Sequence, residues 1–170
     1  MTILNIHGYA GHPQNSAYQA LQAIGCKNII APAIDYDTQS PDSIIEQLEE
    51  VINKQKIDLI VGTSFGGFFA SVLSVRCNLP VILINPCLLP FLIEFLPHDE
   101  LLSLIIYFGM LSDIDNTKVS CIVGDEDEVL GDHYFTETLL KNERFRRVPG
   151  GKHSGATLPL KEYFKEILFK

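Results

Sequence analysis

The stretch from Ile57 to Arg76 limits what this chain can fold into more than any other. An apolar run, Leu59-Ile60-Val61, stops at Gly62, and a helix-like pattern begins after Gly66. Between them lies Gly62-Thr63-Ser64-Phe65-Gly66, the G-x-S-x-G pattern of a nucleophile elbow. A strand that turns into a helix over so few residues must hold its central serine in a strained backbone conformation, hydroxyl outward. Gly62 and Gly66 lack the Cβ atoms that would keep strand and helix apart at the bend. The start of the following helix adds amide donors and a positive dipole end. With glycine near 7% of residues, the five-residue pattern alone arises by chance in roughly one chain in twenty of this length. The strand-to-helix setting is what makes it informative.

The flanking sequence reads as strands alternating with helices. Strands are expected over Thr2 to Ile6, Asn28 to Ile34, Asp58 to Val61, Pro80 to Ile84, Lys118 to Val123 and Phe145 to Val148. Helices are expected over Ser16 to Ile24, from Ser40-Pro41 onward, through the elbow to Arg76, over Tyr134 to Leu140 and over Leu160 to Phe169. Ser40 is placed as an N-cap with Pro41 at the first helical position. Ile44, Ile45, Leu48, Val51 and Ile52 then repeat on one helical face. Alternation of this kind implies parallel strands joined by right-handed crossovers. Apolar runs such as Val81-Ile82-Leu83-Ile84 fit a sheet covered on both faces. The expected fold is therefore α/β, a three-layer sandwich around a mostly parallel six-stranded sheet. In such sheets the site lies beyond the carboxyl ends of the strands. His7, Ser64, Asn85, Asp127 and the loop carrying His153 all follow strand ends.

A serine hydroxyl needs a base within hydrogen-bond reach, and histidine is the usual one. His12, His98 and His133 read as surface or turn residues. His153 sits in the glycine-rich loop Pro149-Gly150-Gly151-Lys152-His153 after the last strand and is the candidate base. The loop Gly124-Asp125-Glu126-Asp127-Glu128-Val129 offers the carboxylate that would orient the imidazole. Asp127 is favoured because Val129 can turn the loop inward, and Asp125 is the reserve. The order Ser64, Asp127, His153 is the one described for α/β-hydrolases and differs from the chymotrypsin and subtilisin orders. The backbone N–H groups of Phe65 and Tyr9 are the expected donors to an oxyanion. His7 is expected to brace its loop. With Asn85, Leu92 and Phe95 it is also a candidate for the wall of a substrate pocket.

At 170 residues, 46% hydrophobic and 20% charged, the chain has the make-up of one globular domain. A net charge of −8 argues against nucleic acid or an anionic membrane as partner. The four cysteines form no metal-like spacing, and a reduced, cytoplasmic setting is the simplest reading; a serine, histidine and carboxylate require no metal or organic cofactor, and none is expected. No signal peptide or membrane-spanning run is expected, and therefore no stable membrane insertion. Residues 86–112 hold more apolar side chains than one surface helix needs. They are read as a helical insert that forms a buried pair, an acyl-binding lid or the contact of a homodimer. Lys141, Arg144, Arg146, Arg147 and Lys152 form a basic cluster, a solvated face or an attractor for an anionic leaving group.

Taken together, these motifs resemble the α/β-hydrolase superfamily, and within it the small bacterial esterases of the YqiA/YcfP type. The resemblance rests on His7-Gly8-Tyr9, Gly62-Thr63-Ser64-Phe65-Gly66-Gly67, Ile84-Asn85-Pro86, Asp127-Glu128-Val129-Leu130 and Gly150-Gly151-Lys152-His153. It implies a compact sheet of six parallel strands and hydrolysis of small-molecule acyl esters or thioesters. Ser64 would be nucleophile, Asp127 the orienting acid and His153 the base. A binding protein that keeps the fold without the chemistry, or a serine peptidase or transacylase, would use the same sequence features. Halide-displacing relatives need a carboxylate where this chain has Ser64.

Overall fold

The computed structural model describes residues 1–94, 101–140 and 142–169. Six strands form one sheet: β1 (Thr2–Ile6), β2 (Asn28–Ile30), β3 (Leu59–Thr63), β4 (Val81–Ile84), β5 (Val119–Gly124) and β6 (Phe145–Val148), in the order β2-β1-β3-β4-β5-β6. All five pairings are parallel. The sheet places all six carboxyl ends on one edge, as the alternation of elements requires.

Successive strand residues face opposite sides, and the two sides hold separate cores. Leu4, Ile60, Val81, Leu83, Cys121 and Val123 face one side, Ile3, Leu59, Val61, Ile82, Ile84 and Ile122 the other. The first face is covered by α2 (Pro41–Gln55), α3 (Phe65–Cys77) and α4 (Leu101–Met110), with α5 (Tyr134–Leu140) supplying Leu140. The second is covered by α1 (Ser16–Ala23) and α6 (Leu160–Leu168), through Ala17, Leu21, Tyr163 and Phe164. This is the expected three-layer sandwich.

The helix signals act as the sequence implies. Ser40 accepts a hydrogen bond from the Ser43 amide, Pro41 opens α2, and Lys56 closes it in the left-handed conformation. In α3 every residue from Phe65 to Ser74 is buried, the mark of a helix enclosed on all sides rather than an amphipathic one. Two strand ends differ from expectation. β2 stops at Ile30 rather than Ile34, because it is an edge strand and Pro32 has no N–H for a ladder. β3 runs on to Thr63, since Gly62 pairs with Ile6 and Thr63 with Ile84.

In the 86–112 region, Pro90–Leu92 is a short 3-10 turn and α4 lies on the core through Leu104 and Tyr107. The Tyr107 hydroxyl donates to Asp42 Oδ1 at 2.5 Å and the Ser103 hydroxyl to Asp42 Oδ2 at 2.9 Å, which tethers α4 to the first turn of α2. Its other face exposes Leu101, Leu102, Ile105 and Ile106. The proposed helical pair is thus, among the described residues, a single helix buried along one side. Phe95 and His98 fall outside the described residues, as does Lys141. Among the described residues no helix is long and apolar enough to cross a membrane.

Candidate active site

Ser64 joins β3 to α3 with φ 52° and ψ −124°, a conformation that L-residues seldom adopt. The bend is fixed from both sides: the Ser64 N–H donates to Ile84 O at 3.0 Å, and Ser64 O accepts from the Gly67 and Cys87 amides at 2.8 and 2.9 Å. The elbow glycines are required by contact. A Cβ on Gly66 would lie 2.3 Å from His7 O, and one on Gly62 would lie 2.4 Å from Ala70 Cβ. The first-strand loop closes just as tightly, since a Cβ on Gly8 would meet Ser64 Cβ at 2.9 Å.

His153 Nε2 lies 3.0 Å from Ser64 Oγ. Its Nδ1 lies 3.0 and 2.9 Å from Asp127 Oδ1 and Oδ2. With the proton on Nδ1 donated to the carboxylate, Nε2 is left to accept from the serine hydroxyl. Three side chains far apart in sequence meet in this way because β3, β5 and β6 end on the same edge. The His153 side chain keeps 21% exposure while that of Asp127 has none. Burial works to raise the Asp127 pKa. The hydrogen bonds from His133, His153, Leu130 and Val129 outweigh it and hold the carboxyl well below its ordinary value.

Phe65 opens α3, so its N–H has no partner within the helix. Tyr9 lines the cleft over Ser64, together with Gly8, Gly11, Asn15, Ser16, Ala17, Ile84, His153 and Leu160, and the cleft encloses about 160 Å³. Among the described residues, none from 86–112 lines it. Leu92 lines a different cavity of about 190 Å³, between Pro86-Cys87-Leu88-Leu89 and the Leu130 to Thr136 segment.

Several expectations need correction. Asp125 is not the partner of His153; its Oδ1 accepts from the Gly150 amide at 2.6 Å and so ties the acidic loop to the histidine loop. His7, expected both to brace its loop and to stand as a candidate pocket wall, does not line the cleft over Ser64. It is buried, its Nε2 accepts from the Ile34 amide at 3.1 Å, and its Nδ1–H therefore donates to Gly8 O at 2.8 Å. Burial, opposed by the Gly8 bond and aided by His12, lowers its pKa, in the direction that favours this neutral tautomer. Asn85 is also a brace rather than a pocket wall. It is fully buried, its Nδ2 donates to Lys152 O and His153 O at 2.9 and 2.8 Å, and its Oδ1 accepts from the Gly124 amide at 2.8 Å. Arg146 and Arg147 are paired with Glu166 and Glu137, and Arg144 donates to Thr117 O, so these members of the basic cluster form a paired face. His133 is not a surface residue: its side chain is 1% exposed and its Nε2 lies 2.8 Å from Asp127 Oδ2. No spacing rule marks it, because its role depends on how the loop after Asp127 folds back.

Among the described residues no group of three or more His, Cys, Asp or Glu side chains is placed to hold a metal ion. The four cysteines are free thiols, with Cys87 and Cys121 buried.

Comparison with known proteins places this geometry. The signature of the Uncharacterised protein family (UPF0227) matches residues 2–96, which include the first-strand loop, the elbow and the Asn85-Pro86 turn. The chain belongs to UPF0227. No curated protein matches the sequence of this UPF0227 member. Among solved structures, it superposes on Est1E from Butyrivibrio proteoclasticus, solved with ferulic acid bound, with TM-score 0.73 at 16% identity over 99% of this chain and 90% of that one. The esterase RhEst1 from Rhodococcus sp. ECU1013 gives TM-score 0.65 at 12% identity, over 98% and 88% of the two chains. MGS-MChE2, an alpha/beta hydrolase enzyme from the metagenome of lagoon sediments at Mar Chica, Morocco, gives 0.66 at 13% identity, over 99% and 89%. These likenesses establish that the UPF0227 chain has the α/β-hydrolase fold.

Proposed function

We propose that this protein is a serine hydrolase that cleaves carboxylic acyl esters or thioesters through an acyl-enzyme on Ser64. The observation that carries the reading is the continuous relay from Ser64 Oγ through both ring nitrogens of His153 to the buried Asp127 carboxylate. His153 takes the Ser64 proton as Oγ attacks the acyl carbon, and then gives it to the departing alcohol or thiol. Asp127 stabilises the imidazolium formed in between. The negative oxygen of the tetrahedral intermediate accepts from the Phe65 and Tyr9 amides; loss of one such donor costs about 2.7–4 kcal/mol in a measured case. A water, activated by His153 in turn, releases the acid. These residues supply every proton and charge the reaction needs.

The structures of Est1E with ferulic acid and of the esterase RhEst1 support ester substrates over peptides. A cleft of about 160 Å³ is below the 300–1,000 Å³ usual for drug-sized ligands and suits short acyl groups. A fluorophosphonate probe should label the wild type at Ser64 and leave Ser64→Ala unlabelled. A panel of p-nitrophenyl esters and thioesters should show highest kcat/KM at two to four acyl carbons. Persistent labelling of Ser64→Ala, or no turnover of any acyl substrate by a labelled wild type, overturns the reading.

A further inference from the structure

The loop after β5 wraps around its own carboxylate. Asp127 Oδ1 accepts from the Val129 and Leu130 amides at 2.9 and 2.8 Å, and Asp127 O accepts from the Gly131 amide at 3.0 Å. At the end of this loop stands His133, whose Nε2 reaches Oδ2 at 2.8 Å while His153 approaches from the other side at 2.9 Å. An ionised carboxylate has about four lone-pair sites. Two amides and two imidazole N–H groups fill them.

We propose that His133 is a positioning residue for the triad, its Nε2–H fixing the Asp127 carboxylate so that the carboxylate in turn aims His153 at Ser64. The proposal rests on the serine-hydrolase reading and extends it. The two backbone amides hold only Oδ1, and an anchor on one oxygen leaves the group free to swing about its last torsion. His133 removes that freedom. The ring is 1% exposed and Asp127 has no exposure, so bulk solvent does not serve as the donor to Oδ2. The ring is also rigidly mounted: His133 O accepts the first hydrogen bond of α5, from the Glu137 amide at 3.0 Å. Its backbone sits at φ 54°, an unfavourable conformation for a residue with a side chain. That strain is retained at the position from which the ring reaches Oδ2.

A buried histidine that merely fills the core would touch stability alone, so the test reads catalysis through Asp127. His133→Phe, which keeps the ring volume without the donor, should lower kcat for p-nitrophenyl acetate by about 10- to 100-fold and leave KM within about twofold, a range like that of residues supporting metal ligands. His133→Gln, whose amide can donate in place of Nε2–H, should recover most of the loss. The decisive comparison places His133→Phe in an Asp127→Asn background. There the substitution should change kcat by less than about twofold, because its effect passes through the missing carboxylate. Equal kcat for wild type and His133→Phe, or the same fold-loss with and without Asp127, overturns the proposal. If His133→Phe does not fold by circular dichroism, His133→Asn, too short to reach Oδ2, is read by the same criteria. Ser64→Ala run alongside separates the two levels. An inactive Ser64→Ala with an unaffected His133→Phe removes only the role of His133, whereas an active Ser64→Ala removes the hydrolase reading itself.

Discussion

Ser64 holds φ 52° because the bend around it is closed by Gly62, Gly66 and Gly8 pressing against neighbouring chain. Strain of this kind costs roughly 1–3 kcal/mol. Ser64→Gly should therefore raise the urea midpoint, by about 1 kcal/mol in unfolding free energy, while abolishing probe labelling; an unchanged or lower midpoint would deny that the elbow stores strain. Asp127 gives a pH-dependent counterpart. Its folded pKa lies below the unfolded value of about 3.9, so the unfolded chain binds the extra proton as pH falls. Its contribution is complete above about pH 5 and is lost progressively as pH falls from there through the depressed folded value. In urea titrations from pH 7 to pH 3, wild type should lose part of this increment, with the loss still growing at the acid end. Asp127→Asn lacks it throughout, so the gap between the two should narrow as pH falls.

Among the elements, α4 is the one whose sequence is least explained by its own packing. Its inward side is anchored by Leu104, Tyr107 and the Asp42 tether. On its outward side Gly109 is exposed, and a Cβ there would meet nothing within 4 Å. Glycine inside a helix costs about 0.5–1 kcal/mol relative to alanine. Gly109→Ala should stabilise the protein by that amount, read as a higher urea midpoint with fluorophosphonate labelling unchanged. By contrast, Ser40→Ala removes the N-cap bond to Ser43 and should cost about 1 kcal/mol.

Across the molecule, the Ser64-His153-Asp127 arrangement depends on joining two loops that leave neighbouring strands. Asn85, at the end of β4, reaches both the start of the β5 loop through Gly124 and the His153 loop through Lys152 and His153. Asn85→Leu would strip the Asn85 partner from the Gly124 amide and the His153 carbonyl, while Lys152 O keeps Thr157. At about 1–3 kcal/mol for each of these two groups if left unsatisfied, a loss of about 2–6 kcal/mol is expected in denaturation. The surviving folded protein should show a lower kcat, since the loop that carries the base is no longer pinned. The sheet order that brings these loops together is what turns scattered residues into one site.

The order of strands and helices and the elbow were legible in the chain because each rests on local physics, whereas Asp127 and His153 stand out only by their loops after strand ends and their order in the chain. Apolar period, a capped helix start and glycines at a tight turn need only near neighbours in sequence. What needed the folded molecule was the work of side chains whose partners are distant. Asn85 looks like a pocket residue from its place after a strand end, yet the carbonyls and the amide packed against it make it a brace, and His7, expected to brace, has partners that only the fold supplies. Asp125 and Asp127 stand in the same acidic run, and only the path of the Gly150 loop gives one to a backbone amide and the other to His153. His133 carries no signal at all until the loop turns back and sets its ring against Asp127. A chain writes its elements through short-range preference, but a buried polar group is assigned by whichever donor or acceptor the tertiary packing leaves beside it.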